Sequence, residues 1–295
     1  MPTRPDARST PLPVEPRRAT MTLDEAVRYM RSLPAYADLV RHAYLGPDVL
    51  DSAQRFERSG EFEEVRRLLG GAIDGAVVLD VGAGTGIASR AFARSGARVV
   101  CALEPDPSDE VGQGAIRRLV DGLRIEIVAC FAENIPLETG TADVVYARQV
   151  LHHIRNLPAA LREFARVLRP GGVLLACREH VVDDDAQLAA FLDSHPMHQL
   201  AGGENAYPLT AYTDAIREAG LVLDRRIAPW ESVINAFPSV TTQAELEDYA
   251  RAQLVRRLGR LGTIAYAAPG VRHAVWSRIA RPVPGRLYSF LARKP

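Results

Sequence analysis

The stretch Val77-Val78-Leu79-Asp80-Val81-Gly82-Ala83-Gly84-Thr85-Gly86-Ile87 contains the features from which the fold is predicted. Residues 76–81 are rich in β-branched side chains and carry no charge before Asp80, which is typical of a strand buried on both faces of a parallel sheet. The three glycines allow a sharp turn and a close approach of the backbone to a ligand. Residues 87–94 return to helical spacing, so free N–H groups at the helix start would face that ligand. The pattern predicts a strand, a turn and a helix that bind a nucleotide-like molecule.

The spacing of the glycines distinguishes between nucleotide-binding motifs. A dinucleotide fingerprint, G-x-G-x-x-G, needs its third glycine at the position occupied by Ile87. The sequence also lacks G-x-x-x-x-G-K-[ST], which excludes the phosphate loop of the nucleoside triphosphatases. The order Asp-x-Gly-x-Gly-x-Gly after a strand resembles motif I of the class I S-adenosylmethionine-dependent methyltransferases.

Two further segments add to this resemblance. Leu151-His152-His153 follows the fourth predicted strand, and Arg169-Pro170-Gly171-Gly172 follows the next predicted helix. Together with the glycine motif they resemble the methyltransferase type 11 group, which includes quinone, sterol and secondary-metabolite methyltransferases. The resemblance covers residues 76–180. It implies S-adenosyl-L-methionine as the methyl donor, S-adenosyl-L-homocysteine as the product and a small molecule as the acceptor.

The alternation of strands and helices after residue 76 predicts an α/β fold with a doubly wound, Rossmann-like and mostly parallel sheet. The fifth strand is predicted over residues 173–177. The resemblance implies seven strands, of which the last, over residues 286–293, is antiparallel.

Three regions are predicted along the chain. Residues 1–20 are rich in proline and are predicted to be a disordered tail. Residues 21–75 show helical spacing and are predicted to form an N-terminal helical prelude. Residues 76–295 are predicted to form the methyltransferase domain, with cap insertions over 181–209 and 228–284.

Composition restricts the classes of partner and compartment. Lys+Arg and Asp+Glu balance at 36 each, so the whole chain has no net field that favours nucleic acid. Three dispersed cysteines in apolar surroundings are typical of buried thiols in a reducing compartment. No run approaches the roughly 20 apolar residues of a membrane span. We expect a cytoplasmic protein that acts on a small molecule, with the N-terminal helices or the cap as the surface of any homodimer.

The resemblance assigns the cofactor to the carboxyl ends of the first four strands. Glu104 ends the second strand, where a carboxylate accepts hydrogen bonds from both hydroxyls of a ribose. Residues 131–133 resemble the family segment that flanks adenine, with Phe131 in the place of the family's aspartate. The predicted cofactor-binding residues are Asp80, Gly82, Ala83, Gly84, Gly86, Glu104, Pro105, Phe131, Ala132, Glu133 and Arg148.

The candidate catalytic residues follow the fourth and fifth strands. Methyl transfer requires in-line positioning and a dry pocket, together with a base where the acceptor carries a proton. His152 and His153 follow the fourth strand, and Glu179 and His180 follow the fifth, so these side chains are predicted to meet above the methyl group. Because an imidazole suits the removal of a hydroxyl proton, we predict that the methyl group goes to a hydroxyl oxygen of a secondary metabolite, sugar or lipid-like compound.

No metal site is predicted. Metal-dependent catechol methyltransferases place a magnesium-binding carboxylate after the fourth strand, where this chain has Arg148-Gln149-Val150-Leu151. The same position lacks the Asn/Asp-Pro-Pro-Tyr segment of the amino-methylating nucleic-acid enzymes, which argues against a nucleic-acid substrate. His195 and His198 have the i,i+3 spacing of possible metal ligands, but a solvated or substrate-contacting role is the favoured interpretation.

Two alternative functions stay open at this point. One is a catalytically inactive S-adenosylmethionine-binding scaffold or regulatory module, against which the intact glycine motif argues. The other is a nicotinamide-dependent oxidoreductase, because such an enzyme would use the same acid as Glu104 to bind a ribose of its cofactor. Ile87 in the place of a glycine and the absence of a Tyr-x-x-x-Lys pair argue against this second alternative.

Overall fold

The computed structural model describes residues 21–279 and 283–295. The tail predicted to be disordered, residues 1–20, lies outside the described residues. Within these ranges, one mixed sheet has a layer of helices and a separate hydrophobic core on each of its faces. None of the helices in these ranges is long and apolar enough to cross a membrane.

The sheet has the strand order β3-β2-β1-β4-β5-β8-β7, and the short strand β6 pairs with β5 outside this path. Only β8 is antiparallel to its neighbours, which confirms the predicted mostly parallel sheet with an antiparallel last strand. The seven predicted strands form the path, and β6 is an additional, eighth strand. The strands of the described residues are β1 (Val77–Val81), β2 (Val99–Leu103), β3 (Ile125–Val128), β4 (Ala142–Arg148), β5 (Leu168–Val182), β6 (Tyr207–Pro208), β7 (Val222–Ile227) and β8 (Arg286–Arg293).

The helices occupy three regions of the chain. The N-terminal region contains α1 (Leu23–Ser32), α2 (Ala37–His42), α3 (Val49–Glu57) and α4 (Gly60–Leu69). The central region contains α5 (Ile87–Arg94), α6 (Gln113–Arg117) and α7 (Leu157–Val167). The later region contains α8 (Asp185–Ser194), α9 (Pro196–Ala201), α10 (Leu209–Glu218), α11 (Val233–Ala236), α12 (Gln243–Leu258), α13 (Arg260–Tyr266) and α14 (Pro269–Ile279).

Strand β1 lies at the centre of the sheet and is buried along its whole length. Leu79 belongs to the core shared with α7 and α10, and Val78 belongs to the core shared with α5, α3 and α4. Successive side chains of a strand point to opposite faces, so an unbroken apolar run is required where both faces are covered. Full burial of each such side chain contributes about 1.5–3 kcal/mol relative to its exposure.

The N-terminal helices cover the loop that follows β2. Helix α1 begins with a capping box, in which Thr22 Oγ1 accepts from Glu25 N at 3.2 Å and Glu25 Oε2 accepts from Thr22 N at 2.8 Å. The Asp24 carboxylate accepts from the N–H groups of Asp109 and Glu110 at 3.2 and 3.1 Å. These contacts hold the loop after β2 against α1, beside the carboxyl edge of the sheet.

Strand β5 is much longer than the predicted segment over residues 173–177. Its pairing with β8 continues past an irregularity between Ala176 and Glu179. At this bulge Arg178 adopts a positive φ of 62°. A bulge redirects the side chains that follow it, and this one sends Arg178 and Glu179 into two separate groups of charged residues.

Candidate active site

The turn between β1 and α5 depends on glycine for two different reasons. Gly82 has φ 60°, and a Cβ there would lie 2.5 Å from Val150 Cγ2, so only glycine allows this contact. Gly84 has φ 55°, but a Cβ there would meet nothing closer than 3.9 Å. Gly86, also at positive φ, precedes the first residue of α5. The turn is therefore packed on one side and open beside Gly84.

Glu104 connects the end of β2 to this turn. Its Oε2 accepts from Gly84 N at 2.7 Å, and its Oε1 accepts from Asp106 N at 2.9 Å. Burial is the largest effect on this carboxyl group and raises its pKa to about 7. Ribose hydroxyls would donate to this carboxylate in place of water, as the sequence predicts.

Asp80 and Ala83 lie behind the turn. Asp80 is buried and accepts from Ser89 Oγ at 2.6 Å, so it connects β1 to α5. Burial raises the pKa of Asp80 to about 6. Ala83 N donates to Leu103 O at 3.1 Å. Both residues shape the cofactor turn from the protein side.

The predicted adenine segment lies at the same edge of the sheet, beyond the ends of β2 and β3. Phe131 is 69% exposed, so its ring is available for stacking on a planar ligand. Ala132 packs against the core next to it, and Glu133 Oε1 accepts from Asn156 N at 3.5 Å. Pro105 is exposed at the start of the loop after β2.

Arg148 differs from its prediction as a cofactor residue. Its Nε and Nη2 donate to Glu61 Oε1 and Oε2 at 2.6 and 3.2 Å; the Glu61 side chain is buried and that of Arg148 is 12% exposed. The guanidinium also lies 5.5 Å from the ring centroids of Tyr44 and Phe56. The bidentate pair occupies two of its donors, so the structure places Arg148 as the partner of Glu61 beneath the N-terminal helices.

The sequence interpretation missed two members of this buried group, Glu61 and Arg178. Arg178 Nη1 donates to the carbonyl oxygens of Ile234 and Phe237 at 2.5 and 3.0 Å. Its Nε lies 4.0 Å from Glu61 Oε1. Burial lowers the pKa of Arg178. Burial alone would raise the pKa of Glu61, but the guanidinium groups of Arg148 and Arg178 outweigh it and lower the Glu61 pKa. The sequence signal that could have identified Glu61 was an acidic residue on the otherwise apolar face of α4.

On the other side of β5, His152 and Glu179 form a buried pair. His152 Nδ1 lies 2.7 Å from Glu179 Oε2, which also accepts from His152 N at 3.1 Å. Glu179 Oε1 accepts from Val150 N at 3.2 Å. Because Val150 contacts Gly82, this pair is one short loop away from the glycine turn.

The remaining predicted catalytic residues surround this pair. His153 Nδ1 donates to Gly203 O at 3.0 Å, and its side chain is 41% exposed. His180 Nδ1 donates to Gly285 O at 2.7 Å. The centroid of the His152 ring lies 4.2 Å from that of His153 and 4.7 Å from that of His180. The structure therefore brings together all four predicted side chains.

Two residues of the first cap insertion complete this group. Glu204 Oε2 lies 3.7 Å from the Nε2 atoms of both His152 and His153, and Glu204 Oε1 lies 3.6 Å from His195 Nδ1. We call this group the histidine cluster, which consists of His152, His153, Glu179, His180, His195 and Glu204.

The carboxylates and imidazoles of the histidine cluster shift one another's pKa values. Burial would lower the pKa of His152, but Glu179 and Glu204 raise it to about 9. Burial and the charge of His152 lower the pKa values of His153 and His180. Burial would raise the pKa of Glu204, but the surrounding histidines lower it to about 2. The lowered pKa of Glu204 therefore favours its ionised form and the raised pKa of His152 its protonated form, whereas burial favours the neutral forms of His153 and His180.

Comparison with known proteins agrees with this geometry. Residues 79–176 match the family model described as a methyltransferase domain. The ubiquinone biosynthesis O-methyltransferase of Rhizobium etli is 30% identical over 136 residues, which cover 46% of this chain and 54% of that protein. The demethylmenaquinone methyltransferase of Clavibacter sepedonicus is 37% identical over 105 residues, which cover 36% of this chain and 42% of that protein. The chain spans about half the length of the curated relatives it matches.

Solved structures share the fold. An S-adenosylmethionine-dependent methyltransferase from Mesorhizobium loti has a TM-score of 0.54 at 16% identity, and the match covers 81% of this chain and 99% of that one. A geranyl diphosphate methyltransferase, solved in complex with S-adenosylmethionine, has a TM-score of 0.52 at 16% identity, with coverage of 86% and 95%.

The sheet order and the glycine turn define a class I methyltransferase fold. Residues 79–176 also match the methyltransferase domain family that the sequence motifs resemble. The predicted fold class is thereby confirmed, and the predicted family agrees with this match over residues 79–176. The nicotinamide-dependent alternative has no support from the matched family.

Proposed function

We propose that this protein transfers a methyl group from S-adenosyl-L-methionine to a hydroxyl oxygen of a small molecule. The observation that supports this most directly is the contact between Val150 and Gly82, which joins the cofactor turn to the histidine cluster. A donor seated beside Gly84, with its ribose on Glu104, would direct its methyl group toward the ends of β4 and β5. These are the strand ends from which His152 and Glu179 extend.

The residues at the turn fit this cofactor. Glu104 is a buried carboxylate with acceptor capacity for a diol, and the space beside Gly84 would be lost to a side chain at that position. When bound, the sulfonium supplies an activated methyl group. The task of the protein is then to orient the two reactants, exclude water and accept one proton.

The proton of the acceptor hydroxyl is expected to pass to the histidine cluster as the new carbon–oxygen bond forms and the carbon–sulfur bond breaks. The cluster has imidazole nitrogens whose partners are the carboxylates of Glu179 and Glu204. A carboxylate that orients an imidazole and stabilises its charged form is a recurring arrangement for proton transfer.

The acceptor classes are chosen from the named relatives and from the site. One relative is a ubiquinone biosynthesis O-methyltransferase and another is a demethylmenaquinone methyltransferase. Hydroquinones and other phenols are therefore the first acceptors to test, followed by sugars.

The test is a turnover assay that measures S-adenosylhomocysteine and the position of a labelled methyl group. We expect release of S-adenosylhomocysteine that depends on the acceptor and label in a methoxy group. Glu179→Gln should lower kcat while the affinity for S-adenosylhomocysteine stays within about threefold, since Glu179 contacts only the loop beyond the turn. Label on carbon would refute the choice of oxygen, and cofactor binding without turnover on the whole panel would favour the scaffold alternative.

A further inference from the structure

The Glu204 carboxylate faces nitrogen atoms that are too distant for hydrogen bonds. Its two oxygens lie 3.6–3.7 Å from ring nitrogens of His152, His153 and His195, whereas N–H···O bonds span roughly 2.7–3.2 Å. His195 Nδ1 is buried and has no hydrogen-bond partner among the described residues. Buried polar atoms normally have a partner, so this arrangement indicates a group that is bound between the side chains.

The hydrogen bonds of the two neighbouring histidines fix which nitrogen is free. His153 Nδ1 contacts the carbonyl oxygen of Gly203, which only accepts, so Nδ1 carries the proton. His152 Nδ1 contacts the Glu179 carboxylate in the same way. Nε2 of both rings then faces Glu204 Oε2, and a metal ion bound there would displace the second proton that the raised pKa of His152 keeps on that ring. Metal-binding histidines characteristically donate their other N–H to a carboxylate or a backbone carbonyl.

We propose that His152 Nε2, His153 Nε2 and the Glu204 carboxylate form a binding site for a divalent transition metal such as Zn²⁺ or Fe²⁺. One atom from each residue can be chosen so that all three lie within 4.8 Å of one another. Ligand atoms about 2.0–2.1 Å from a tetrahedral zinc ion are separated by roughly 3.3–3.4 Å. The two 3.7 Å separations from Glu204 Oε2 need only a small inward movement, while the two imidazole ligand atoms lie within 4.8 Å of each other.

The donor set determines the class of metal. Two imidazoles and one carboxylate are ligands of catalytic zinc sites and of non-haem iron sites, which keep further positions open. Mg²⁺ and Ca²⁺ prefer oxygen ligands and do not match two imidazoles. His195 Nδ1 lies 3.6 Å from Glu204 Oε1, the oxygen that is not needed as the metal ligand. The site differs from the His195–His198 pair that the sequence spacing suggested.

The first cap insertion is built to hold Glu204 in place. Gly202 and Gly203 have φ of 74° and 83°, which lets the chain turn so that Gly203 O reaches His153. Directly after Glu204, strand β6 pairs with β5, and Tyr207 Oη donates to Ile154 O at 2.6 Å. The carboxylate is thus attached to the end of β5 and to the loop after β4 that carries the two histidines.

This inference rests on the proposed function for its chemical consequence. A metal with an open position would bind the acceptor hydroxyl and lower its pKa, so that the hydroxyl gives up its proton more readily to the remaining imidazoles of the histidine cluster during methyl transfer. The substrate class is then a hydroxyl whose oxygen is accessible enough to be a metal ligand, such as a phenol or hydroquinone. Metal binding itself requires neither the cofactor nor the acceptor.

The test measures metal binding directly. Full-length protein, freed of metal by chelator dialysis, is titrated with Co²⁺ and Zn²⁺ by visible absorption and calorimetry. We expect one equivalent of Co²⁺ with the intense d–d bands of a low-coordinate site, displaced by Zn²⁺. His153→Gln and Glu204→Gln should each weaken binding by at least 30-fold, and Glu179→Gln, which acts through His152, by about 10- to 100-fold.

Matched controls separate this site from incidental metal binding. His198→Gln, in the same cap insertion, should leave the Co²⁺ affinity and spectrum unchanged, and circular dichroism checks that each variant is folded. Absence of stoichiometric binding, or equal affinity in wild type, His153→Gln and Glu204→Gln, would overturn the site. A protein that binds metal but methylates equally well without it refutes the catalytic consequence alone. A protein that methylates and binds no metal retains the proposed function and loses this inference.

Discussion

Replacing Glu104 with glutamine removes a buried negative charge from the end of β2 without changing the size of the side chain. The carboxylate accepts from the N–H groups of Gly84 and Asp106 at 2.7 and 2.9 Å and is the predicted acceptor for the cofactor ribose. Hydrogen bonds to a charged group contribute about 1.5–3 kcal/mol. We expect Glu104→Gln to weaken cofactor binding by about 2–3 kcal/mol, which is about 30- to 160-fold in Kd.

The pH dependence of binding gives a second expected result. Burial raises the pKa of Glu104 from 4.5 to about 7. Because ribose hydroxyls donate to the ionised form, binding below pH 7 must first release a proton, and the affinity should fall about tenfold for each unit below it. Above pH 7 it should be constant. The glutamine variant should lack this dependence.

The raised pKa of Glu104 also makes the stability of the cofactor-free protein depend on pH, and this dependence has the opposite sign to that of cofactor binding. The folded state holds its proton up to about pH 7, whereas the unfolded chain releases it near 4.5. The unfolded state therefore binds fewer protons between these values, and stability falls as the pH rises through this range. The shift of about 2.5 pKa units corresponds to about 3 kcal/mol. Glu104→Gln should remove the part of the stability loss between pH 4.5 and 7 that is due to this carboxyl group.

Calorimetry with 5′-methylthioadenosine, which has the ribose and adenine of the cofactor but no amino acid group, tests the binding result between pH 5.5 and 8.5. Glu126→Gln, on the exposed face of β3, is the control and should bind like the wild type. The reasoning is refuted if Glu104→Gln binds within threefold of the wild type at pH 8. It is refuted equally if the wild-type affinity does not change between pH 7 and 5.5.

Two further substitutions test the buried contacts around the site. Glu61→Gln should lower the free energy of unfolding by about 3–5 kcal/mol in denaturant titrations, because it leaves Arg148 and Arg178 without a counter-charge. The control is Glu63→Gln, which is exposed on the same helix and should change the free energy of unfolding by less than about 0.5 kcal/mol. Gly82→Ala should weaken S-adenosylhomocysteine binding at least about tenfold, since its Cβ would lie 2.5 Å from Val150 at a positive φ. Partial rescue by a second change, Val150→Ala, would identify the clash, and unchanged binding in Gly82→Ala would contradict it.

The parts of the fold that the sequence predicts are those with short-range causes. The buried strand, the glycine turn and the following helix lie in one continuous segment, so their pattern indicates the structure directly. Strand β5 could not be predicted beyond residue 177 because its extension depends on pairing with β8, which lies over a hundred residues later in the chain. The bulge that turns Arg178 and Glu179 apart has the same non-local origin.

The residues of the candidate site also differ in whether their positions have short-range or long-range causes. The histidines and Glu179 were found because the carboxyl ends of parallel strands meet at one edge of the sheet. Glu61 was missed because its role depends on Arg148, which is close to it only after the N-terminal helices fold onto the sheet. Glu204 was visible in the sequence as part of a polar patch, but its position beside His152 and His153 depends on the pairing of β6 with β5.

The two charged groups on either side of the β5 bulge assign different tasks to different parts of the chain. The N-terminal helices contact Arg148 and Arg178 through Glu61. In this group of three residues, Arg148 alone was among the predicted site residues. The first cap insertion closes over His152 and His153 through Glu204. Because the glycine turn and Glu104 meet demands that are common to every acceptor, differences in acceptor are expected to depend on the residues around Glu204. An exchange of this insertion between related methyltransferases should therefore change which acceptor is methylated and leave the affinity for S-adenosylhomocysteine unchanged.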